Sequence, residues 1–434
     1  MNQSIRWGLI FAVSAVALHA GPAERQLETV RTMMLRPVWE TIRENYYDPN
    51  FGGVDIGALE KGAERQLAGA KSLAEALSII AQSVENFGDS HTSFMSPPRP
   101  FEVEYGWALD IAGRNVVVGA VEPGSDAEKK GVRPGEQVLR VNGMPATRDT
   151  LNLIRYSLNA LNPQPGIRAQ LQWHDGSQRE VEFAAKVTAR PQRLEFYNGR
   201  DRQLVELESE KHARKRRSVW QELGPGVLWW KLAGFSEIQH LEKGLRQAAG
   251  YEHVILDLRG NPGGLSSVML EAIGAFFPKK TTIGTIRLRH KTEPLEASSR
   301  HSLRGKLYVL IDGGSASASE VLARTIQLTE RGLILGDRSA GKVNRGLAHN
   351  LDVGPDDNLI LFGVSVTNAA ILMTDGQPLE KIGVTPEVWL VPSPLDLAEG
   401  NDPVLAAAAK LAGITLSKQD AGAISRRHRP PIFD

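Results

Sequence analysis

Three short segments place nucleophilic, charged and glycine residues where apolar runs give way to loops. The first is Asp257-Leu258-Arg259-Gly260-Asn261-Pro262-Gly263-Gly264, closing the run Val254–Leu258. The second is Asp312-Gly313-Gly314-Ser315-Ala316-Ser317-Ala318-Ser319-Glu320, after Leu307–Ile311. The third is Gly336-Asp337-Arg338-Ser339-Ala340-Gly341-Lys342, after Gly332–Leu335. A serine at a strand-to-helix turn exposes its oxygen, and the helix N-terminus favours developing negative charge. A glycine-rich loop leaves backbone N–H groups for an oxyanion hole. A nearby lysine can take the serine proton if burial lowers its pKa from about 10.4, so that a neutral amine exists. Each piece alone has a plainer reading. Ser317-x-x-Glu320 is also a capping box, the glycines suit simple turns, and a lone lysine usually sits at the surface.

The elements that must position these residues follow from pattern. Helical stretches are expected at Ser266–Phe277 and Ala318–Thr329. Alternating with the apolar runs, they predict an α/β layer over 219–395 with its working groups at the strand ends. Residues 21–100 read as helices. Leu27, Val30, Met33, Met34, Val38 and Trp39 recur at helical spacing, Asp48–Gly53 makes a turn, and Leu59–Leu67 and Leu73–Val84 follow. Residues 101–190 alternate in short stretches such as Asn115–Val118 and Arg168–Trp173, which predicts strands. Residues 191–218 carry Lys211, Arg214, Lys215, Arg216 and Arg217 and read as a solvated linker rather than a nucleic-acid patch. Residues 396–434 read as a C-terminal helix with a flexible tail from Ile424 to Asp434.

Composition narrows the class. The net charge of +1 gives no reason to expect nucleic acid or an acidic membrane surface as partner. With no cysteine, disulfides, thiolate catalysis and cysteine metal sites are excluded. Residues 1–20 have the order of a secretory signal: Arg6, an apolar run from Trp7 to Leu18, and small residues at Ala15, Ala17 and Ala20. The run is too short to span a bilayer comfortably. The expectation is an exported chain, periplasmic or secreted, with no integral membrane segment once the signal is removed.

Two resemblances sharpen this reading. The stretch Val121–Gly143 runs turn, short helix, turn, strand, then an Asn142-Gly143 hairpin signal, and it resembles a PDZ domain. Gly106, Trp107, Ala108 and Leu109 then fall where that family keeps its carboxylate-binding loop. The resemblance implies capture of a chain end as an added strand. The three loop segments, in order, together with the helical start and the PDZ-like insertion, resemble the C-terminal processing peptidases and their tricorn-core relatives, peptidase family S41. The likeness covers roughly residues 25–410, including Gly88–Phe94 and Gly383–Glu387. It implies a multidomain α/β and β chain whose peptidase core has layered sheets of the ClpP/crotonase type. It assigns Ser317 as nucleophile and Lys342 as general base. Backbone N–H groups of Gly263 or Gly264 and of Ala318 would be the oxyanion donors, with Ser315 and Ser319 pointing elsewhere. No metal or other cofactor is implied. The partners implied are proteins or peptides with accessible C-termini, and a homo-oligomer or an activating partner stays open.

One departure stands out. The family commonly has a Gln four residues after the lysine, which orients it; here that position is Gly346. Either another residue does this work, with Asn344 and His91 as candidates, or activity is weakened or lost. His91 is also an alternative base, since some tricorn-type relatives use a histidine near the start of the core. It is otherwise a structural loop histidine. Rival motifs fail. Gly336-x-x-x-x-Gly341-Lys342 lacks the Ser or Thr and the helix of a P-loop. Ser339-x-x-Lys342 lacks the Ser-Asp-Asn and Lys-Thr-Gly companions of penicillin-binding enzymes. The alternative from another class is a weak or inactive binding protein that keeps the peptidase fold and holds partners through its PDZ-like domain.

Overall fold

The structure is a computed structural model that describes residues 21–97, 99, 101–189, 218–300, 303–355 and 359–428. The expected signal 1–20, residues 191–217 of the expected linker, and residues 429–434 of the tail lie outside the described residues. The chain forms a mixed α/β structure with several sheets in two compact units. One unit takes residues up to Arg99 with Ala160–Asn162 and Gly346–Asn368; the other takes the rest.

In the first unit the leading helix runs as α1 (Pro22–Thr29), widens into a π turn over Val30–Met34, and continues as α2 (Leu35–Asn45). Pro37 accounts for the widening: it has no N–H for the carbonyl of Met33, and its ring would press on that group. Val30, Met34, Val38, Trp39 and Ile42 form the buried stripe. Helix α3 (Ile56–Leu67) is capped by Asp55 and α4 (Leu73–Glu85) by Ser72. The short strand β1 (Ser93–Met95) pairs antiparallel with Gly363–Ser365. Residues 346–368 thus group with the N-terminal helices and not with the remainder of the expected core.

The second unit begins with strands β2 (Phe101–Glu104), β3 (Trp107–Ala112) and β4 (Asn115–Val121) and the one-turn helix α5 (Asp126–Lys129). It continues through β5 (Gln137–Val141), β6 (Met144–Pro145), α6 (Leu151–Tyr156), β7 (Gly166–Gln172), β8 (Gln178–Ala184) and β9 (Lys186–Ala189). The main antiparallel sheet has the order β3-β4-β5-β7-β8, so β3 is an edge strand. Asn142 and Gly143 both have positive φ, 48° and 82°, as a tight hairpin turn requires. Trp107 packs edge-on against Phe183 at 5.0 Å in this layer's core.

The sheet that carries the three loops has the order β10 (Val219–Gly224), β11 (Val227–Lys231), β12 (His253–Asp257), β15 (Lys306–Ile311), β16 (Gly332–Gly336), β19 (Val388–Trp389). All neighbours from β11 onward are parallel. Alternation sorts its side chains. Leu228, Trp230, Val254, Leu256, Val309 and Ile334 face a core closed by α7 (Ile238–Ala248), α8 (Ser266–Phe276) and α9 (Ala318–Leu328). Val227, Trp229, Ile255, Leu310 and Leu335 face the opposite core, which includes α11 (Pro403–Leu411). Between these elements lie the ribbon β13 (Thr281–Leu288) and β14 (Thr292–Ala297), then β17 (Arg345–Val353) and β18 (Ile360–Met373). The last residues of β18, Ala369–Met373, pair with β13. Helices α10 (Pro394–Glu399), α11 and α12 (Lys418–His428) close the chain. The tail expected to be flexible from Ile424 is therefore helical to His428, because Ile424 packs against the second core. Among the described residues no helix is long and apolar enough to cross a membrane.

Candidate active site

The three loops leave the carboxyl ends of β12, β15 and β16, neighbouring parallel strands, and so converge. Ser317 opens α9 in a capping box with Glu320. Its backbone is unusual for a cap. An ordinary N-cap has extended dihedrals, whereas Ser317 has φ 55° and ψ −119°. Such a conformation costs a non-glycine residue about 1–3 kcal/mol and is held only by surrounding contacts. The contacts are plain. Ser317 N–H donates to the carbonyl of Lys342 at 2.7 Å and to Glu320 Oε2 at 3.0 Å. The main chains of the two residues expected to form the dyad are thus directly bonded.

Of the three serines in the turn, two are structural. Ser315 and Ser319 are fully buried; their hydroxyls donate to the carbonyls of Leu258 (2.9 Å) and Asn261 (3.0 Å). Ser317 is half-buried, with its oxygen on the turn.

Glu320 ties the loops together. Its buried carboxylate accepts four hydrogen bonds: from Ser317 N–H, Lys342 N–H (2.8 Å), Gly341 N–H (2.7 Å) and Ser339 Oγ (2.5 Å). Burial pushes its pKa up, while these four donors favour the anion. On the far side of the lysine loop, Glu380 Oε2 accepts from Val343 N–H (2.9 Å) and Asn344 N–H (3.2 Å). Glu380 Oε1 is buried with no hydrogen-bond partner among the described residues. Sequence reasoning missed Glu380, because its link to Lys342 passes through backbone groups that leave no residue-type signal.

Asn261 was also missed, although Asn-Pro-Gly is a legible signal for a side chain that bonds its own backbone two residues on. Its Oδ1 accepts from Gly263 N–H (2.9 Å) and its Nδ2 donates to the Leu232 carbonyl (2.8 Å). Its main-chain carbonyl receives Ala316 N–H (2.9 Å). The Gly263 N–H, one of the two glycine donors expected for the oxyanion, is thus engaged by Asn261. The N–H groups of Gly264 and Ala318 donate to no group among the described residues. Gly263 is required for closeness instead. At φ 96°, a Cβ built on it would lie 2.7 Å from Ser317 Cβ and 2.9 Å from Ala318 N. Gly263→Ala should therefore push the loop off the serine turn and lower kcat at least ~100-fold. A steady-state assay beside a melting curve checks this; a folded variant with wild-type kcat would contradict it.

In the first unit, His91 Nδ1 lies 2.8 Å from Ser90 Oγ, and His91 N–H donates to Asp89 Oδ1 at 3.0 Å. The departure at position 346 has a steric reason here. A Cβ on Gly346 would stand 3.1 Å from both His91 Cβ and Ser365 Oγ, and 3.2 Å from the His91 carbonyl. A Gln side chain has no room without displacing them.

Gly106, Trp107, Ala108 and Leu109 lie at the start of edge strand β3. Gly106 has φ 73°, and a Cβ there would overlap Ser125. All four residues are buried, and Arg155 donates to the Leu109 carbonyl. The same layer reaches the lysine loop. Gly113 N–H donates to Asp337 Oδ2 at 2.9 Å. Arg148 donates to the carbonyls of Gly113 (2.7 Å), Ser339 (3.1 Å) and Arg338, and to Asp337 Oδ2 (3.3 Å). Burial raises the Asp337 pKa and lowers that of Arg148, and their pairing opposes both shifts. Among the described residues no group of three or more His, Asp or Glu is placed to hold a metal ion.

Comparison with known proteins places this arrangement. The profile of Peptidase family S41 matches residues 230–390, the span from β11 to the end of the parallel sheet. The carboxyl-terminal-processing protease of Synechocystis sp. is 24% identical over 416 residues, 92% of this chain and 90% of that protein. Among solved structures, the photosystem II D1 C-terminal processing protease matches with a TM-score of 0.51 at 22% identity, covering 84% of this chain and 93% of that one. Mature CPAF matches with a TM-score of 0.62 at 14% identity, covering 85% and 94%. At those identities the structures establish the fold alone. The family profile falls on the parallel sheet and its three loops, the part of the fold that carries Ser317 and Lys342. Over residues 230–390 the chain is similar to peptidase family S41, and over most of its length to carboxyl-terminal-processing proteases.

Proposed function

We propose that the chain is a serine endopeptidase of the C-terminal processing type, acting on exported proteins through a Ser317–Lys342 dyad and an acyl-enzyme. The observation that carries this is the 2.7 Å bond from Ser317 N–H to the Lys342 carbonyl, locked by Glu320 across both residues. The neutral Lys342 amine takes the Oγ proton as Oγ attacks the scissile carbonyl. Gly264 and Ala318 N–H groups hold the oxyanion, and Lys342 returns the proton to the leaving amine. Water activated by the same lysine then releases the acyl group. The loop geometry supports this order, because an ordinary N-cap is extended and capping alone does not call for the strained backbone of Ser317.

Residues 101–190 are read as a PDZ-like domain that presents substrate C-termini along the edge of β3. Arg148 and Gly113, bonded to the loop that carries Lys342, give that domain a route to gate the site. Export rests on residues 1–20, as read from their sequence.

A second reading keeps His91 as orienting group or alternative base in place of the missing Gln. His91→Ala separates the two. If His91 is the base, kcat should fall ~100-fold or more. If lysine is the base, kcat should change less than ~10-fold.

The proposal as a whole is tested by hydrolysis of an unstructured protein with a free C-terminus. Wild-type protein should cut it and Ser317→Ala should not. Wild-type protein that binds such chains without cutting them, alone or with a candidate partner added, would favour a binding protein on a peptidase fold.

A further inference from the structure

Asp402 begins α11, far along the chain from the loops described above. Its Oδ1 accepts from Leu405 N–H at 2.9 Å, as an N-cap does. The same carboxylate meets Arg259 fork to fork, Nη1 to Oδ1 at 2.9 Å and Nη2 to Oδ2 at 2.8 Å. Arg259 turns its other edge to Asp257, with Nε to Oδ1 at 3.1 Å and Nη2 to Oδ2 at 2.7 Å. Lys231 completes the group, donating to Asp257 Oδ1 at 3.1 Å and to the Arg259 carbonyl. All four side chains are buried, Asp257 to 1% exposure and Asp402 to 5%.

Two cations and two anions leave the group neutral. Burial alone would lower the Arg259 pKa and raise that of Asp257. Their mutual pairing outweighs it, so Arg259 lies well above its usual value and Asp257 well below. A buried ion group of this kind is a poor source of stability, since apolar side chains of similar volume often do as well. What it does here is fix one point of backbone. Arg259 immediately precedes Gly260-Asn261-Pro262-Gly263-Gly264, and it is held at the guanidinium, at the N–H (3.0 Å to Asp257 Oδ1) and at the carbonyl.

We propose that Asp402 is a positioning residue for hydrolysis: through Arg259 it fixes the loop that offers the Gly264 N–H to the oxyanion. This rests on the peptidase reading given above. Asp402 touches no reacting atom. Its removal should affect the transition state rather than substrate capture, because an oxyanion donor matters most where charge develops.

The test uses the full chain with Asp402→Ala and Asp402→Asn. Asparagine caps a helix as well as aspartate does, so the second variant keeps α11 and one of the two bonds to Arg259. Hydrogen exchange over residues 258–266 is read beside kcat and KM. Asp402→Ala should exchange faster in that segment and lose ~10–100-fold in kcat, with KM within about twofold; Asp402→Asn should fall between it and wild type. A folded variant whose segment exchanges like wild type, or whose kcat is unchanged, overturns the proposal. If wild-type protein hydrolyses nothing while the segment still loosens in the variants, the anchoring by Asp402 is supported and the peptidase reading alone is struck down.

Discussion

Ser317→Ala should abolish hydrolysis, with a loss on the order of 10⁶-fold, the scale seen when a nucleophile that acts as one unit with its base is removed. The protein should stay folded. The hydroxyl contributes to a helix cap, and losing a cap costs about 1 kcal/mol. A more telling companion is Ser317→Gly. At φ 55° a Cβ is strained by about 1–3 kcal/mol, and glycine relieves this. Glycine weakens the cap by a few tenths and brings about 0.5–1 kcal/mol of unfolded-state entropy. Ser317→Gly should therefore be at least as stable as wild type while inactive. Thermal unfolding of both variants checks this. A clear loss of stability in Ser317→Gly would mean that the turn was not strained for the sake of the oxygen.

Lys342→Ala carries the second large effect. Loss of a general base typically removes 10²–10⁴-fold, and a dyad has no other acceptor, so about 10³-fold or more is expected in kcat. The backbone of residue 342 bonds Ser317 and Glu320 whatever its side chain, so the loop should keep its place. Fold loss is thus separated from loss of chemistry. Only the neutral amine accepts a proton, so wild-type activity should rise with pH through the lysine pKa and level off above it. With hydrolysis rate-limiting, a flat profile from about pH 6 to about pH 9.5 contradicts a lysine base.

Much of the site could be read in the sequence because its parts are local. Asp257–Gly264 and Gly314–Glu320 each announce a strand end by apolar residues, glycines and a helix start within a few positions. The Ser317–Glu320 box was visible for the same reason. What escaped were contacts between segments. Spacing alone does not show that Glu320 also accepts Gly341 and Lys342 N–H groups, or that Arg259 reaches Asp402. An oxyanion loop and an Asn-anchored turn share one glycine signature, so the bond from Gly263 N–H to Asn261 was not legible there. Residues 346–368 were assigned to the core because strand pairing such as Ser93 with Ser365 leaves no local trace. The gap at Gly346 was visible, but its cause, the close approach of His91, is a fact of packing.

The most direct test of the central claim is to label the folded wild-type chain with a serine-reactive phosphonate and map the adduct by mass spectrometry. The account predicts one adduct on the peptide that contains Ser317, lost in Ser317→Ala and strongly slowed in Lys342→Ala. No adduct, or labelling that Lys342→Ala leaves unchanged, would contradict an activated Ser317–Lys342 dyad.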